Sequence, residues 1–579
     1  MNFPQVQLAK TLAQDRRQFI YFLIFALILL AAGIGLRDPW PADEPRFTLV
    51  AKQMVESGEW LIPHRGNELY SDKPPLFMAM QALAYNLTGN WRIAFLLPSL
   101  LAALGTLWLM YDLSRRLWGH QAALYGAAAL LFTVQFTFQA KKAQIDPTVC
   151  FFITAACYGL LRHFLLGPDW RNYWLGCFAA GLGVITKGVG ILALFLFLPY
   201  CYARWQGWNG LAKISANGWR WLMGVVLFFL AIAAWLVPLL LYVKINPTPE
   251  NLAYLQDILF RQTAQRYTDS WDHIKPWWYH FGVITLLWAP LSLTYPYTFR
   301  MWWGRLQARD ARFLLPLTWI VMIILFFSLP AGKRDVYIMP ALPVLTMMSA
   351  PFLPQALERP RLKLAFFGLI LTITTGTLLF GAMVLFAKSG FLIKWAGERG
   401  LKPENIEHGW FLLTVGIIGL INLVIFRVKH SIKGLLAALT GIWLLFSFWG
   451  YPLLNPSSSA RDVMQRTSEL IGKQAELGMV AWKEQNLLQA DRSVVTFGFT
   501  RPFNEQLEDA ILWIQQSSQK RWVFILSDAM APCIDKSKAI KVGHSNRREW
   551  WIFQANAILP ECKNGNVPKK ANNQENNEY

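Results

Sequence analysis

Apolar residues in this chain fall into long continuous runs broken by short polar connections. Runs of about 20 apolar residues are the length a bilayer-spanning helix needs. About thirteen such runs can be counted, at 18–36, 76–111, 121–138, 147–166, 173–186, 188–203, 221–243, 277–297, 314–330, 337–352, 364–387, 410–426 and 434–451. They are continuous and do not alternate, which excludes a β-barrel. The second run is long enough to begin outside the bilayer, and the fifth and sixth are parted only by Thr186-Lys187-Gly188. The first run follows Arg16 and Arg17 without a small-residue cleavage site, so it reads as a retained span. After Pro452 the pattern changes. A helix-like stretch, Arg461–Leu477, precedes strand-like runs at Met479–Trp482, Val494–Phe499, Trp522–Leu526 and Trp550–Phe553, with a helical Glu508–Gln515 between two of them. That alternation predicts a small α/β domain.

The expected class is therefore an α-helical polytopic membrane protein of about thirteen spans with a C-terminal α/β domain. Its parts are a membrane unit at 1–454, the α/β domain at 455–563 and a disordered Asn/Lys/Glu-rich tail at 564–579. Composition agrees. Of 579 residues, 54% are hydrophobic and 16% charged, against about 25% charged in an ordinary globular domain. Soluble enzymes, disordered chains and disulfide-stapled scaffolds are excluded.

The net charge of +20 suggests a polyanion-binding protein or the positive bias of cytoplasmic loops, and the second explains its distribution. Arg16/Arg17, Arg115/Arg116, Arg162/Arg171, Arg204/Lys213/Arg220, Arg300–Arg312, Arg359–Lys363 and Arg427–Lys433 occupy every second connection. Those connections face the cytoplasm. The others, holding Asp43–Lys73, Lys141–Asp146, Lys187, 244–276, Lys333–Asp335 and 388–409, face outward. An odd span count places the N-terminus inside and the C-terminal domain outside. Cys150, Cys157, Cys177 and Cys201 lie in apolar runs, whereas Cys533 and Cys562 are the two in the tail and could pair in an oxidising compartment.

The outward connections carry the candidate chemistry. Beyond the first span, Phe47, Val50, Ala51, Met54 and Val55 follow helical spacing, with Lys52, Gln53 and Glu56 opposite. This predicts an amphipathic helix on the membrane surface with Asp43 at its start. Asp43 and Asp146 are carboxylates at the bilayer edge, where charge is costly unless it is paired or functional. Helix capping is the structural alternative for both. His273 reads equally as a hydrogen-bonded interfacial residue. The adjacent cations Lys333 and Arg334 suit an anionic lipid headgroup or simple snorkelling to the interface. No phosphate-binding Gly-rich loop, His-Glu-x-x-His helix, Gly-x-Ser-x-Gly elbow or dinucleotide fingerprint occurs, so no nucleotide cofactor is expected.

The segments Asp43-Glu-Pro-Arg46, Asp72-Lys-Pro-Pro75 and Lys333-Arg-Asp-Val-Tyr337 resemble motifs of the bacterial family 39/83 glycosyltransferases, relatives of the protein O-mannosyltransferases and of the lipid A aminoarabinose transferase. The resemblance extends from the first span to the tail. It implies a GT-C fold, a polyprenyl-phosphate sugar donor and inverting transfer at the periplasmic face of the bacterial inner membrane. It also implies an envelope glycolipid, such as lipid A or lipopolysaccharide, or a protein as acceptor. It gives Asp43 and Asp146 catalytic positions. Arg46 and Lys73 become cations near the lipid phosphate, and Glu44, Lys187, Lys333, Arg334 and Tyr337 complete the substrate-binding set. Asp72 and His273 match metal-ligating positions of the aminoarabinose transferase branch, where a divalent ion such as Zn²⁺ would bind. The first ligand there is usually Glu, one methylene longer than Asp72. Chemistry fits the resemblance. A phosphate leaving group needs cations and no general acid, and a carboxylate can serve a hydroxyl acceptor as base. Membrane lipids are the expected surroundings and nucleic acid is not an expected partner. The rival readings are a protein O-glycosyltransferase and a non-enzymatic lipid or polysaccharide transporter. Transporters, however, tend to show internal repeats, and none is visible.

Overall fold

The computed structural model describes residues 3–214, 217–259, 273–386, 407–562 and 567. The outward stretch 388–406, the segment 260–272 and, apart from Val567, the expected disordered tail at 564–579 lie outside the described residues. Among the described residues, seven helices are long and apolar enough to cross a bilayer: Trp91–Trp118, Ile145–Leu166, Gly218–Ile245, Ala311–Ser328, Pro360–Phe386, Glu407–Phe426 and Ser431–Ser458. A pair bent by 67°, His120–Phe132 with Val134–Ala140, raises the number to eight if it counts as one span.

This is fewer than the apolar runs in the sequence, and the difference has local causes. The run at 76–111 breaks at Gly89, whose left-handed φ of 64° ends helix α3 (Leu76–Thr88) before Trp91. Gly188, at φ 83°, ends the helix Trp170–Lys187 in the same way, and a 3₁₀ turn and the short helix Phe197–Trp205 follow. Pro290 and Pro340, which cannot donate a backbone hydrogen bond, interrupt the runs at 277–297 and 337–352 into short pieces. The first run, 18–36, begins inside helix α1 (Phe3–Ala31) and continues past its end.

The spans Trp91–Trp118 and Ile145–Leu166 are central, with 67% and 78% of their apolar windows covered, whereas Pro360–Phe386 is covered over only 17% and lies at the edge of the bundle. Small residues allow the close packing inside. A Cβ on Gly159 would lie 2.2 Å from the backbone oxygen of Asn172, so the helix Ile145–Leu166 can approach its neighbour Trp170–Lys187 only through glycine.

The C-terminal unit is an α/β domain. Its five-stranded sheet has the order β4-β3-β5-β7-β6, with β3 Glu476–Val480, β4 Val494–Thr496, β5 Arg521–Leu526, β6 Ile540–Ser545 and β7 Arg548–Phe553. The first three strands pair in parallel, and β7 pairs antiparallel with both β5 and β6. The helix Phe503–Gln515 buries Leu507, Ala510, Ile511 and Ile514. Cys533 and Cys562 form a disulfide with Cα atoms 6.1 Å apart, within ordinary bridging distance.

Helix α2 (Asp43–Ser57) joins the two units. Its predicted apolar face is real: Phe47, Val50, Ala51 and Met54 are buried in the core of the membrane unit. Its other side is not left to solvent. Leu49 belongs to the core of the α/β domain, Lys52 Nζ donates to the Leu488 carbonyl, and Arg46 reaches Glu484. The amphipathic helix expected here thus packs on protein along both faces.

Candidate active site

Asp43 is the first residue of α2, and it caps nothing with its side chain. What fixes it is its neighbour. Glu44 is buried, and its two carboxylate oxygens receive both terminal nitrogens of Arg37. The same oxygens accept the backbone N–H groups of Trp40 and Ala143. Arg37 in turn donates to the Lys141 carbonyl and lies over the rings of Trp40, Phe95 and Tyr451. A buried ion pair with this many hydrogen bonds locks the turn between α1 and α2. Asp38 continues the lock through Arg92 and Asn455.

The lock presents Asp43 to a cavity of 860 Å³. Arg334 donates to Asp43 Oδ2 at 2.8 Å and Gln144 to the same oxygen at 2.9 Å, while Arg46 Nη1 lies 4.0 Å from Oδ1. Burial opposes charge on this carboxyl. The positive charge and hydrogen bond of Arg334, with Arg46 and Lys187 behind, outweigh it and hold Asp43 below the ordinary carboxylate range. Arg334 suffers the same desolvation, but Asp43 and Asp146 hold its pKa above the ordinary guanidinium value.

The cavity gathers side chains from distant parts of the chain. Asp43, Arg46, Asp72, Lys73, Asp146, Lys187, His273, Arg334 and Tyr337 all line it. Asp146 lies in the first turn of Ile145–Leu166 and pairs with Lys187 instead of capping its helix. Lys187 Nζ is also 5.0 Å from the centre of the Tyr337 ring. Lys73 Nζ donates to the Asp72 carbonyl at 2.7 Å. Five cations, Arg46, Arg65, Lys73, Lys187 and Arg334, face five carboxylates across the lining. Such a surface can bind an anion while keeping a carboxylate ionised.

Two expected substrate contacts are placed elsewhere. Glu44 is absent from the cavity lining, because its oxygens are occupied by Arg37 and by backbone N–H groups. Lys333 is buried, and its ammonium donates to the carbonyls of Lys275 and Pro330, closing the loop around Arg334. Both shape the site from behind.

Asp72 and His273 share the cavity wall. Asp72 Oδ2 lies 3.9 Å from Arg65 Nη1, and the His273 carbonyl accepts the Lys333 N–H. Among the described residues no group of three or more His, Cys, Asp or Glu side chains is arranged to hold a metal. Divalent ions held by protein alone usually take three or four ligands, so these two residues do not fit a complete ion site.

Several site residues carry no mark in the sequence. Arg65, the last residue of β1 (His64–Arg65) and paired with Glu68 of β2 (Glu68–Leu69), lines the cavity with its guanidinium 3.9 Å from the centre of the Phe499 ring. Phe499 and Thr500 come from the α/β domain and form part of the wall. Glu68 accepts their backbone N–H groups, which binds that wall to the first outward loop.

Residues 72–237 match the family described as dolichyl-phosphate-mannose-protein mannosyltransferase. Curated relatives named undecaprenyl phosphate-α-4-amino-4-deoxy-L-arabinose arabinosyl transferase include one from Pseudomonas savastanoi pv. phaseolicola, 26% identical over 58% of this chain and 62% of its own length. Another, from Pseudomonas aeruginosa, is 25% identical over 86% of this chain and 92% of its own length. The chain thus spans less than two thirds of the first relative and nearly the whole of the second. Among solved structures, ArnT from Cupriavidus metallidurans bound to undecaprenyl phosphate superposes with a TM-score of 0.70 at 19% identity, covering 94% of this chain and 99% of that one. The fold is of this GT-C type, and the resemblance carried by the Asp43-Glu-Pro-Arg46 and Asp72-Lys-Pro-Pro75 segments is borne out. The chain is a multi-pass membrane protein.

Proposed function

We propose that the chain is a glycosyltransferase that moves a sugar from undecaprenyl phosphate, or a similar polyprenyl phosphate, to lipid A at the periplasmic face of the inner membrane. The observation that carries this reading is the cavity itself. It sets an ionised carboxylate, Asp43, among cations. The names of the relatives make 4-amino-4-deoxy-L-arabinose the first sugar to test.

The donor is already activated, because phosphate leaves without a general acid. Lys73 and Arg46 receive its charge as the sugar–oxygen bond breaks, and the pre-set cations cost no reorganisation at that moment. Lys187 is held by Asp146 beside Tyr337, which fixes a further cation in the wall. Asp43 acts on the acceptor. Its Oδ2 is bound by Arg334 and Gln144, so Oδ1 is the oxygen turned to the incoming group. Toward a hydroxyl it takes the proton. Toward an already anionic phosphate it orients the nucleophile and offsets positive charge developing on the sugar.

Were a divalent ion such as Zn²⁺ to bind, Asp72 and His273 would be two of its ligands, and it would supply Lewis-acid chemistry. No step above passes through it. Metal analysis of the purified chain with and without donor tests it, and full activity with no stoichiometric metal would remove it. The whole reading is tested by lipid A mass spectrometry of a deletion strain beside a complemented one. A sugar-sized mass lost on deletion and restored on complementation is expected. An unchanged lipid A with an altered glycoprotein profile would favour a protein acceptor.

A further inference from the structure

We infer that Glu484, in the α/β domain, is a positioning residue for the donor-phosphate end of the cavity, and that the domain is a working part of the site. The inference rests on the reading of the cavity as a polyprenyl-phosphate site. Glu484 opens the short helix Glu484–Leu488, and its side chain is 1% exposed. One of its oxygens, Oε1, lies 3.1 Å from Arg46 Nε and 3.7 Å from Arg65 Nη1. Both arginines line the cavity, whereas Glu484 does not.

Two guanidinium groups brought side by side in a partly dry site repel one another. A buried carboxylate between them cancels that repulsion and fixes both forks. The arrangement leaves one net positive charge on the triad, turned to the cavity. Arg65 is held further by Phe499, whose ring centre is 3.9 Å from its guanidinium carbon, and by Tyr70 at 5.6 Å. Glu484, Phe499 and the Glu68 contacts all come through the α/β domain or its seam with the first outward loop. A domain serving only as an external cover would have no reason to place a desolvated carboxylate behind two cavity-lining arginines.

The test measures the affinity of the full chain in detergent for undecaprenyl phosphate, by quenching of tryptophan fluorescence, with thermal unfolding on the same samples. Glu484→Gln should bind about tenfold more weakly, the scale of a lost charge-assisted contact, and Glu484→Asp should recover most of that loss. Equal affinity for wild type and Glu484→Gln, with only a lower unfolding temperature, overturns the inference and leaves Glu484 a structural ion-pair partner. Should Glu484→Gln not fold, the Arg65→Gln/Glu484→Gln double variant, which leaves fewer uncompensated charges, is compared with Arg65→Gln alone. A further loss, transmitted through Arg46, supports positioning, and none overturns it. A wild-type chain that does not bind undecaprenyl phosphate overturns the functional reading instead.

Discussion

At the scale of single residues, Asp43 and Lys73 separate the two halves of the proposed reaction. Asp43→Asn removes charge at nearly constant shape, so the chain should insert and fold while transfer falls by at least about 10²-fold. Turnover close to wild type in a polyprenyl-phosphate assay would remove Asp43 from the chemistry. Lys73→Ala should weaken donor binding about 10–150-fold, matching roughly 1.5–3 kcal/mol for a charge-assisted contact. Unchanged affinity in a folded variant would make Lys73 an interfacial anchor. The pKa of Asp43 also has a direction that can be checked. Because it is depressed below the ordinary 3.8, the stabilisation from its pairing with Arg334 is complete above that value and lost only as pH falls through the lower, folded-state pKa. A pH–rate profile should therefore show no acid limb from Asp43 above about pH 5. A limb near about pH 6 that Asp43→Asn abolishes would contradict this.

At the scale of elements, the decisive piece is the turn from α1 into α2, locked by Arg37 and Glu44. Glu44→Gln leaves the Arg37 guanidinium, whose side chain is 2% exposed, buried without its counter-charge. That should cost about 3–5 kcal/mol, read as a lower unfolding temperature with donor contacts unaltered in the fraction that folds. A variant as stable as wild type would mean that the backbone alone holds the turn. This element also shows what could be read from sequence. The spacing of Phe47, Val50, Ala51 and Met54 marked α2 and its buried face, because helical periodicity is a local property. The role of Glu44 was misplaced because its partners, Arg37 and the Ala143 N–H, meet it only in the fold. Glu484 was invisible for the same reason, being 438 residues from Arg46. Of the strands in the five-stranded sheet, β6 was not expected. Its residues Ile540–Ser545 include Lys, Gly and His, and edge pairing with β7 orders them where intrinsic preference would not. The apolar runs do not show where their helices break, because a hydrophobic average does not register Pro290, Pro340 or a left-handed Gly188.

At the scale of the whole molecule, the α/β domain supplies part of the cavity wall and packs on α2. An alkaline phosphatase fused after residue 562 should be active, since that reporter folds only outside the cytoplasm. A fluorescent protein that matures there after general secretion would reverse the orientation. Replacing Cys533 and Cys562 by Ser should cost the domain about 2–4 kcal/mol, measured by protease resistance of the isolated membranes, and equal resistance would show that the sheet holds without the bridge.

The burial of Leu49 within the α/β domain bears on the making of the protein. Helix α2 leaves the ribosome hundreds of residues before Glu484, an interval of roughly half a minute to a minute and a half at ordinary synthesis rates. Throughout that interval Leu49 has no native cover, and the arginines of the first outward loop have no carboxylate between them. The helices made by then are in place, yet the cavity wall is unfinished. The wall is complete only once the later-made domain has packed on α2, so a chain stopped before Glu484 should lack the contact that joins Arg46 to Arg65.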